Sequence, residues 1–273
     1  MDFFKYQGAG NDFVLIRSLD CRAELSEQEI IRLCDRRYGI GADGLIILES
    51  SPVHDFSMRF YNNDGSTGMF CGNGGRCIID LAWRSGLPAS GADGSWTFSA
   101  PDGLHSGKVL SHEGRRSQIL LGMNDITSVE AMRLPAEPGQ EATAWKMNTG
   151  TEHLVIFKDN IEDMDVQSEG RRWRYAPQFA PKGVNVNFVQ STGAGSGLLR
   201  VRTYERGVEY ETLSCGTGII AAAVAAWLRG DHSGKYTLRS THDTFSVSLS
   251  RRSGIFTDIL IEGPAEQVFQ VIV

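Results

Sequence analysis

Several features that would mark whole classes of protein are scarce in this chain. Its longest apolar run, Gly218 to Leu228, has 11 residues, whereas a bilayer span needs about 20. Near the start, Asp2 and Asn11-Asp12 stand where a secretion signal would be apolar, so no membrane partner is expected. Positive charge is also in deficit: 27 Lys and Arg against 33 Asp and Glu leave a formal charge of −6. Nucleic-acid binding relies on clustered cations that release counterions from phosphates, and that class is set aside. Cysteines number five, an odd count in a long chain, which argues against a disulfide scaffold and for the reducing cytoplasm. The six histidines are scattered and Cys71 and Cys77 lie six apart, so neither zinc-ligand spacing nor a Cys-x-x-Cys pair is present. No zinc site is expected.

At 273 residues and about 150 residues per domain, two compact domains or one large one are expected. Glycine alone is in excess, with 31 residues, about 11% where about 7% is usual. FFKYQGAGNDFVLI reads as two strands around a Gly-rich turn. Ser26-x-x-Glu29 opens an amphipathic helix expected to close near Gly39. LIILES and SMRFYN read as strands. GIGADG (39–44) matches G-x-G-x-x-G but follows a helix and opens a strand, the reverse of a dinucleotide site. SWTFSA, SQILLGM, LVIFK, VNVNFVQ and LLRVRTY complete a strand-dominated chain with few helices.

Two segments repeat one another. FYNNDGSTGMFCGNGGRCIIDLAW (60–83) and TYERGVEYETLSCGTGIIAAAVAAW (203–227) each run from a strand ending in Tyr through a polar loop and Cys-Gly-x-Gly into a helix ending in Ala-Trp. The loop is one residue longer in the second copy. GNDFV (10–14) and VNVNFV (184–189) are read as a matching strand before each copy, and the boundary between halves is placed near His112 to Arg116. Such a duplication would bring two thiols to one cleft about a pseudo-twofold axis. A cysteine just before a helix meets unpaired amides and the positive end of the helix dipole, which favour thiolate, and the same amides can hold an anion. Gly72, Gly74, Gly216 and Gly218 clear the approach for a carboxylate. Paired thiols around one carboxylate-bearing carbon define a two-base racemase, one sulfur as thiolate base and the other as thiol acid. A hydrolase would instead want one cysteine beside a base. Cys77 is expected to pack inside its helix.

GAGNDFV, YNNDGSTGMFCGNGGRC, EHLVIF, GVNVNFV and YERG followed by ETLSCGTG, in that order and spacing, resemble the diaminopimelate epimerase family over nearly the whole chain. The resemblance implies an α/β (α+β) fold of two pseudo-symmetric domains, each a curled mixed sheet around a central helix. The implied division is 1–113 with a returning C-terminal strand at about 263–273, and 114–262. It implies cofactor-independent interconversion of LL- and meso-diaminopimelate in lysine and peptidoglycan precursor synthesis, in the cytoplasm, by a homodimer. Carried over by motif, Cys71 and Cys215 resemble the acid and base, and Gly72-Asn73 and Gly216-Thr217 the carboxylate cradle. Asn11, Asn62, Asn185 and Arg206 resemble substrate-orienting groups, with Arg206 facing the distant carboxylate. Glu205 resembles a substrate contact that also tunes thiol pKa, and His153 its companion. The chain departs from the family pattern at Thr151-Glu152-His153, where Asn-Pro-His is frequent, and at Gly44, where Gln is frequent. Proline and hydroxyproline racemases, which share paired cysteines, typically carry His where Asn73 stands. A binding module that kept the pocket and lost the chemistry would not exchange a substrate α-hydrogen with solvent.

Overall fold

The computed structural model describes residues 2–20, 22–67, 70–135, 141–193 and 196–272; Cys21 falls outside them. The chain divides into two compact units, residues 1–123 with 262–273, and residues 124–261.

In the first unit, strands β1 (Asp2–Gly8) and β2 (Asn11–Ser18) form a hairpin in which Gly8 pairs with Asn11. The two linking residues, Ala9 and Gly10, both take positive φ (55° and 89°), the requirement of the tight turn whose twist matches a hairpin. Helix α1 (Glu27–Cys34) starts at a reciprocal Ser26–Glu29 capping box. It stops at Cys34 rather than near Gly39, because the carboxylate of Asp35 accepts from the amides of Arg37 and Tyr38 and holds the chain in a turn. Strands β3 (Gly44–Glu49), β4 (Phe56–Asn62), β5 (Trp96–Ala100), β6 (Gly103–Glu113) and β7 (Arg116–Gly122) follow, with helix α2 (Gly72–Arg84) between β4 and β5. Residues 262–272 of the last strand, β16 (Ile255–Ile272), pair with both β7 and β1, so the sheet closes on itself and leaves no open edge. Gly72 through Ala82 of α2 are all buried within it.

The second unit carries β8 (Val129–Pro135), β9 (Glu141–Asn148), β10 (Glu152–Phe157), α3 (Val166–Arg174), β11 (Asn185–Ser191), β12 (Leu198–Tyr204), the two-residue β13 (Glu211–Thr212), α4 (Gly216–Leu228), β14 (Lys235–Arg239) and β15 (Thr244–Arg252). Helix α4, apolar apart from Thr217 and buried from Gly216 through Ala226, lies against β9 to β12, β14 and β15. Its apolar character beyond the first turn has this cause: a helix covered on every side needs no polar face. Helix α3 is not anticipated by the sequence pattern, since only Val166, Gly170 and Trp173 of its nine residues are buried. Its start is capped by Asp165, which accepts from the Ser168 amide.

Pairings run in the same order in both units. β2–β3 is parallel, β3–β4 antiparallel, β4–β5 parallel and β5–β6 antiparallel; β10–β11, β11–β12, β12–β14 and β14–β15 repeat that series. The counterpart of β2 is therefore β10, not β11. The likeness of GNDFV to VNVNFV is local, because VNVNFV is the second member of a parallel pair and GNDFV the first. Register makes the equivalence exact to the residue: Phe13 faces Gly44 and Leu45 faces Tyr61, as His153 faces Asn185 and Val186 faces Tyr204. The stretch His112 to Arg116, expected as a linker, is the turn of the β6–β7 hairpin. The change of unit comes after β7, whose residues still pair with β6 and β16. Among the described residues no helix is long and apolar enough to cross a membrane.

Candidate active site

Cys71 and Cys215 are the N-cap residues of two thirteen-residue helices, with nearly equal backbone angles of φ −109°, ψ 113° and φ −122°, ψ 106°. Neither side chain makes a capping hydrogen bond to its own helix. The other described cysteines differ. Burial pushes the Cys34 thiol up to about 11 and raises Cys77 further, so both stay protonated; Cys77 is packed inside its helix as expected.

Around Cys71, the tight β1–β2 turn delivers Asn11, whose Oδ1 lies 3.5 Å from Cys71 Sγ and 3.4 Å from Asn73 Nδ2. Asn11 Nδ2 in turn donates to Asp43 at 2.6 Å, and Arg36 bridges Asp43 and Asp12 at 2.7 Å each. Burial opposes ionisation of Asp12, but hydrogen bonds from Arg36 and Lys5 outweigh it and hold its carboxyl well below the usual range. Burial, then the charge of Asp12, push Asp43 up. Asn73 Oδ1 accepts from the wholly buried Arg76 at 2.8 Å. A side chain on Gly72 would meet nothing nearer than Met123 Cε at 3.9 Å, whereas one on Gly74 would come within 2.7 Å of Ile46. The first glycine thus keeps space open in front of the helix, and the second lets helix and strand touch. Asn62 ends β4 and donates to Ser66 Oγ at 2.9 Å. Gly44 could not carry Gln without moving strands, since its Cβ would fall 2.6 Å from Tyr61 O.

Around Cys215, Thr217 Oγ1 lies 3.4 Å from Sγ and 2.8 Å from His153 Nε2. Thr151 Oγ1 is 3.0 Å from the same nitrogen and accepts from Asn185 Nδ2 at 3.0 Å; the hydroxyl that replaces the family's frequent Asn joins this cluster. Asn185 Oδ1 accepts from the Arg206 backbone amide at 2.8 Å, and Glu205 accepts from Thr212 Oγ1 at 2.7 Å. Among the described residues the Arg206 guanidinium has no ion-pair partner, although most other buried or half-buried arginines of the unit do. Two residues of this cluster escaped the sequence reading: Asn187, on the same strand face as Asn185, and Thr203, which donates to Asn187 Oδ1 at 3.0 Å. The N-x-N alternation was the available signal. Two open hollows of about 320 Å³ beside Ser18 and Glu49 and about 680 Å³ beside Phe4 and Trp83 contain none of the predicted site residues.

Burial, with Arg206 adding to it, lowers the pKa of His153 to about 3, so the ring is neutral at physiological pH. The unfolded chain binds a proton here below about pH 6.5 that the folded chain refuses until about 3. Stability is fully present above that upper value and is lost as pH falls through this window, on the order of 1 kcal/mol per pH unit. We expect the difference in urea-unfolding free energy between wild type and His153→Gln to follow that slope. A pH-independent difference would contradict it.

Two units of one strand topology, each with a buried helix that starts at a cysteine, define the class: a sheet-rich α+β fold. Solved structures of 12–16% identity share it: a probable proline racemase from Agrobacterium radiobacter K84 (TM-score 0.70, 15% identity, 100% of this chain and 92% of that one) and a PhzF-family phenazine biosynthesis protein from Bacillus anthracis (TM-score 0.68, 16% identity, 100% and 99%). Within that class the family is given by sequence. The diaminopimelate epimerase family model matches residues 3–115 and 145–253. Diaminopimelate epimerases from Flavobacterium psychrophilum (40% identity; 99% of each chain), Chlorobaculum tepidum (35%; 96% of this chain, 97% of the relative) and Aquifex aeolicus (37%; 84% and 82%) align with it. The chain belongs to the diaminopimelate epimerase family, an isomerase of lysine biosynthesis. The proline racemase alternative rests on fold likeness alone and is not favoured.

Proposed function

We propose that Cys71 and Cys215 carry out the epimerisation by a two-thiol proton transfer between LL- and meso-diaminopimelate. The thiolate removes the α-proton, the thiol of the other cysteine delivers a proton to the opposite face, and the enzyme is left with the ionised sulfur exchanged; the reverse reaction starts from that state. The amides of Gly72-Asn73 and Gly216-Thr217 hold the α-carboxylate at two helix N-termini. Asn11 and Asn62 orient the substrate, Asn185 does so while fixing Arg206, and the Arg206 guanidinium pairs with the distal carboxylate. Glu205 contacts substrate, and Glu205 and His153 set thiol ionisation. The protein works in the cytoplasm as a homodimer, a reading supported by the family resemblance.

The observation that carries this reading is the recurrence of an uncapped N-cap cysteine with matching backbone geometry in each unit. Purified protein incubated with LL-diaminopimelate in deuterated water should yield meso product bearing deuterium at the inverted carbon, and should leave proline unchanged. Product without deuterium would exclude solvent-exchanging thiols; proline turnover alone would exclude the substrate. Arg206→Ala should raise KM about 10- to 100-fold, the loss of one charged hydrogen-bonded pair, with a smaller change in kcat. An unchanged KM would remove Arg206 from the distal contact.

A further inference from the structure

The register equivalence of the two units singles out a pair of side chains. In the first unit, Phe13 on β2 and Ile46 on β3 share one face of the sheet and are both buried, and Ile46 lies against Gly74 of α2. Their positional counterparts in the second unit are His153 on β10 and Asn187 on β11, both at 0% exposure. The helix contact is conserved between units as well: a Cβ on Gly74 would run into Ile46, and a Cβ on Gly218 into Asn187 Oδ1. An apolar pair suffices to build this layer once. Burying an imidazole and an amide in the same place costs desolvation unless every polar atom is bonded, so the polar version calls for a reason beyond the fold.

Every polar atom is bonded, and the pattern fixes where the protons lie. Asn187 Nδ2 is 3.1 Å from Leu154 O and 3.0 Å from His153 Nδ1, while Asn187 Oδ1 accepts from Thr203. A backbone carbonyl only accepts, so Nδ2 is the amide's donor side, and its second hydrogen points at His153 Nδ1. Nδ1 must then accept, and a neutral ring carries its proton on Nε2. Nε2–H meets Thr217 Oγ1 at 2.8 Å and Thr151 Oγ1 at 3.0 Å. With that lone pair of Thr217 engaged, its hydroxyl proton is turned outward, where Cys215 Sγ lies at 3.4 Å.

We propose that Asn187 is a positioning residue: by donating to His153 Nδ1 it fixes the ring proton on Nε2, and so aims the Thr217 hydroxyl proton at Cys215 Sγ, where it stabilises the thiolate. The inference rests on the reading of Cys215 as acid and base. In the first unit the place of Thr217 is taken by Asn73, and Cys71 faces the carbonyl of Asn11 instead, so the two sulfurs meet different partners. No ionisable residue lies on α4 or β11. On β10 and β12, Glu152 pairs with Lys146, Arg200 with Glu162 and Arg202 with Glu211; among the described residues the charge that bears on the His153 ring is Arg206, beyond the end of β12.

The test is the pH midpoint of Cys215 alkylation by iodoacetamide, read peptide by peptide by mass spectrometry in the full-length protein without substrate. Wild type is compared with Asn187→Leu, His153→Leu and the double variant, which restores an apolar pair like Phe13 and Ile46. Asn187→Leu should raise the Cys215 midpoint by about one pH unit, the value of one hydrogen bond to a charged group, and leave the Cys71 midpoint in place. In the His153→Leu background the same substitution should add nothing, because Asn187 acts through the ring. A midpoint in Asn187→Leu equal to wild type, or a shift that adds to that of His153→Leu, overturns the proposal. Nitrogen-15 shifts of His153 in the wild type provide a reading that needs no variant to fold: a ring proton on Nε2 supports the proposal and one on Nδ1 overturns it. Survival of activity in Cys215→Ala would instead sink the two-thiol reading while leaving these midpoints measurable.

Discussion

Cys71→Ala and Cys215→Ala are each expected to lower the turnover of diaminopimelate epimerisation by about 10²- to 10⁴-fold, the usual contribution of a positioned acid or base. The two losses should not add in the double variant, because inversion needs both faces served and one missing group already stops it. Wash-in of deuterium separates the partners: a variant that keeps only its base should still exchange the α-hydrogen of one stereoisomer while failing to invert it. Cys34→Ser and Cys77→Ala serve as controls. Burial keeps both of those thiols protonated, so their loss should change stability and leave the proton-transfer step intact. Turnover near wild type in either N-cap variant would reject a mechanism that uses both sulfurs.

The second large effect concerns stability. Arg76 is fully buried on α2, and its guanidinium donates to Pro264 O at 3.0 Å, Gly72 O at 3.3 Å and Asn73 Oδ1 at 2.8 Å. One side chain thus ties the first turn of the helix to the strand that closes the sheet. Arg76→Met keeps most of the volume and strands these acceptors, each at about 1–3 kcal/mol. We expect a loss of at least about 3 kcal/mol, read as a fall in Tm of about 10 °C. Because Asn73 and Gly72 lie beside Cys71, activity per folded molecule should fall as well. A variant with unchanged Tm would show that the acceptors find other donors.

The local framework of the candidate site was legible in the sequence because helix starts are local. Cys-Gly-x-Gly before an apolar helical run states a cysteine N-cap whatever the remainder of the chain does, and it appears twice. Asn11 was legible too, since Gly-Ala-Gly leaves few backbone options other than a tight hairpin turn. The end of α1 was read five residues late, because the Asp35 side chain competes with the helix for backbone amides and periodicity does not register that competition. Helix α3 was invisible because it buries only one narrow strip. Asn187 was passed over for a different reason: an asparagine in a strand is ordinarily unremarked, and its meaning comes from partners at positions 153, 154 and 203, far away in the chain.

By itself the sequence determined the two helix-start thiols, the duplicated segment that carries them, and membership of the family, since each depends on residue types at fixed short spacing. The tertiary structure decided which strands correspond, where one unit gives way to the next, and how His153 is protonated. Those depend on strand register and burial, which bring together groups tens of residues apart, and no local pattern encodes either.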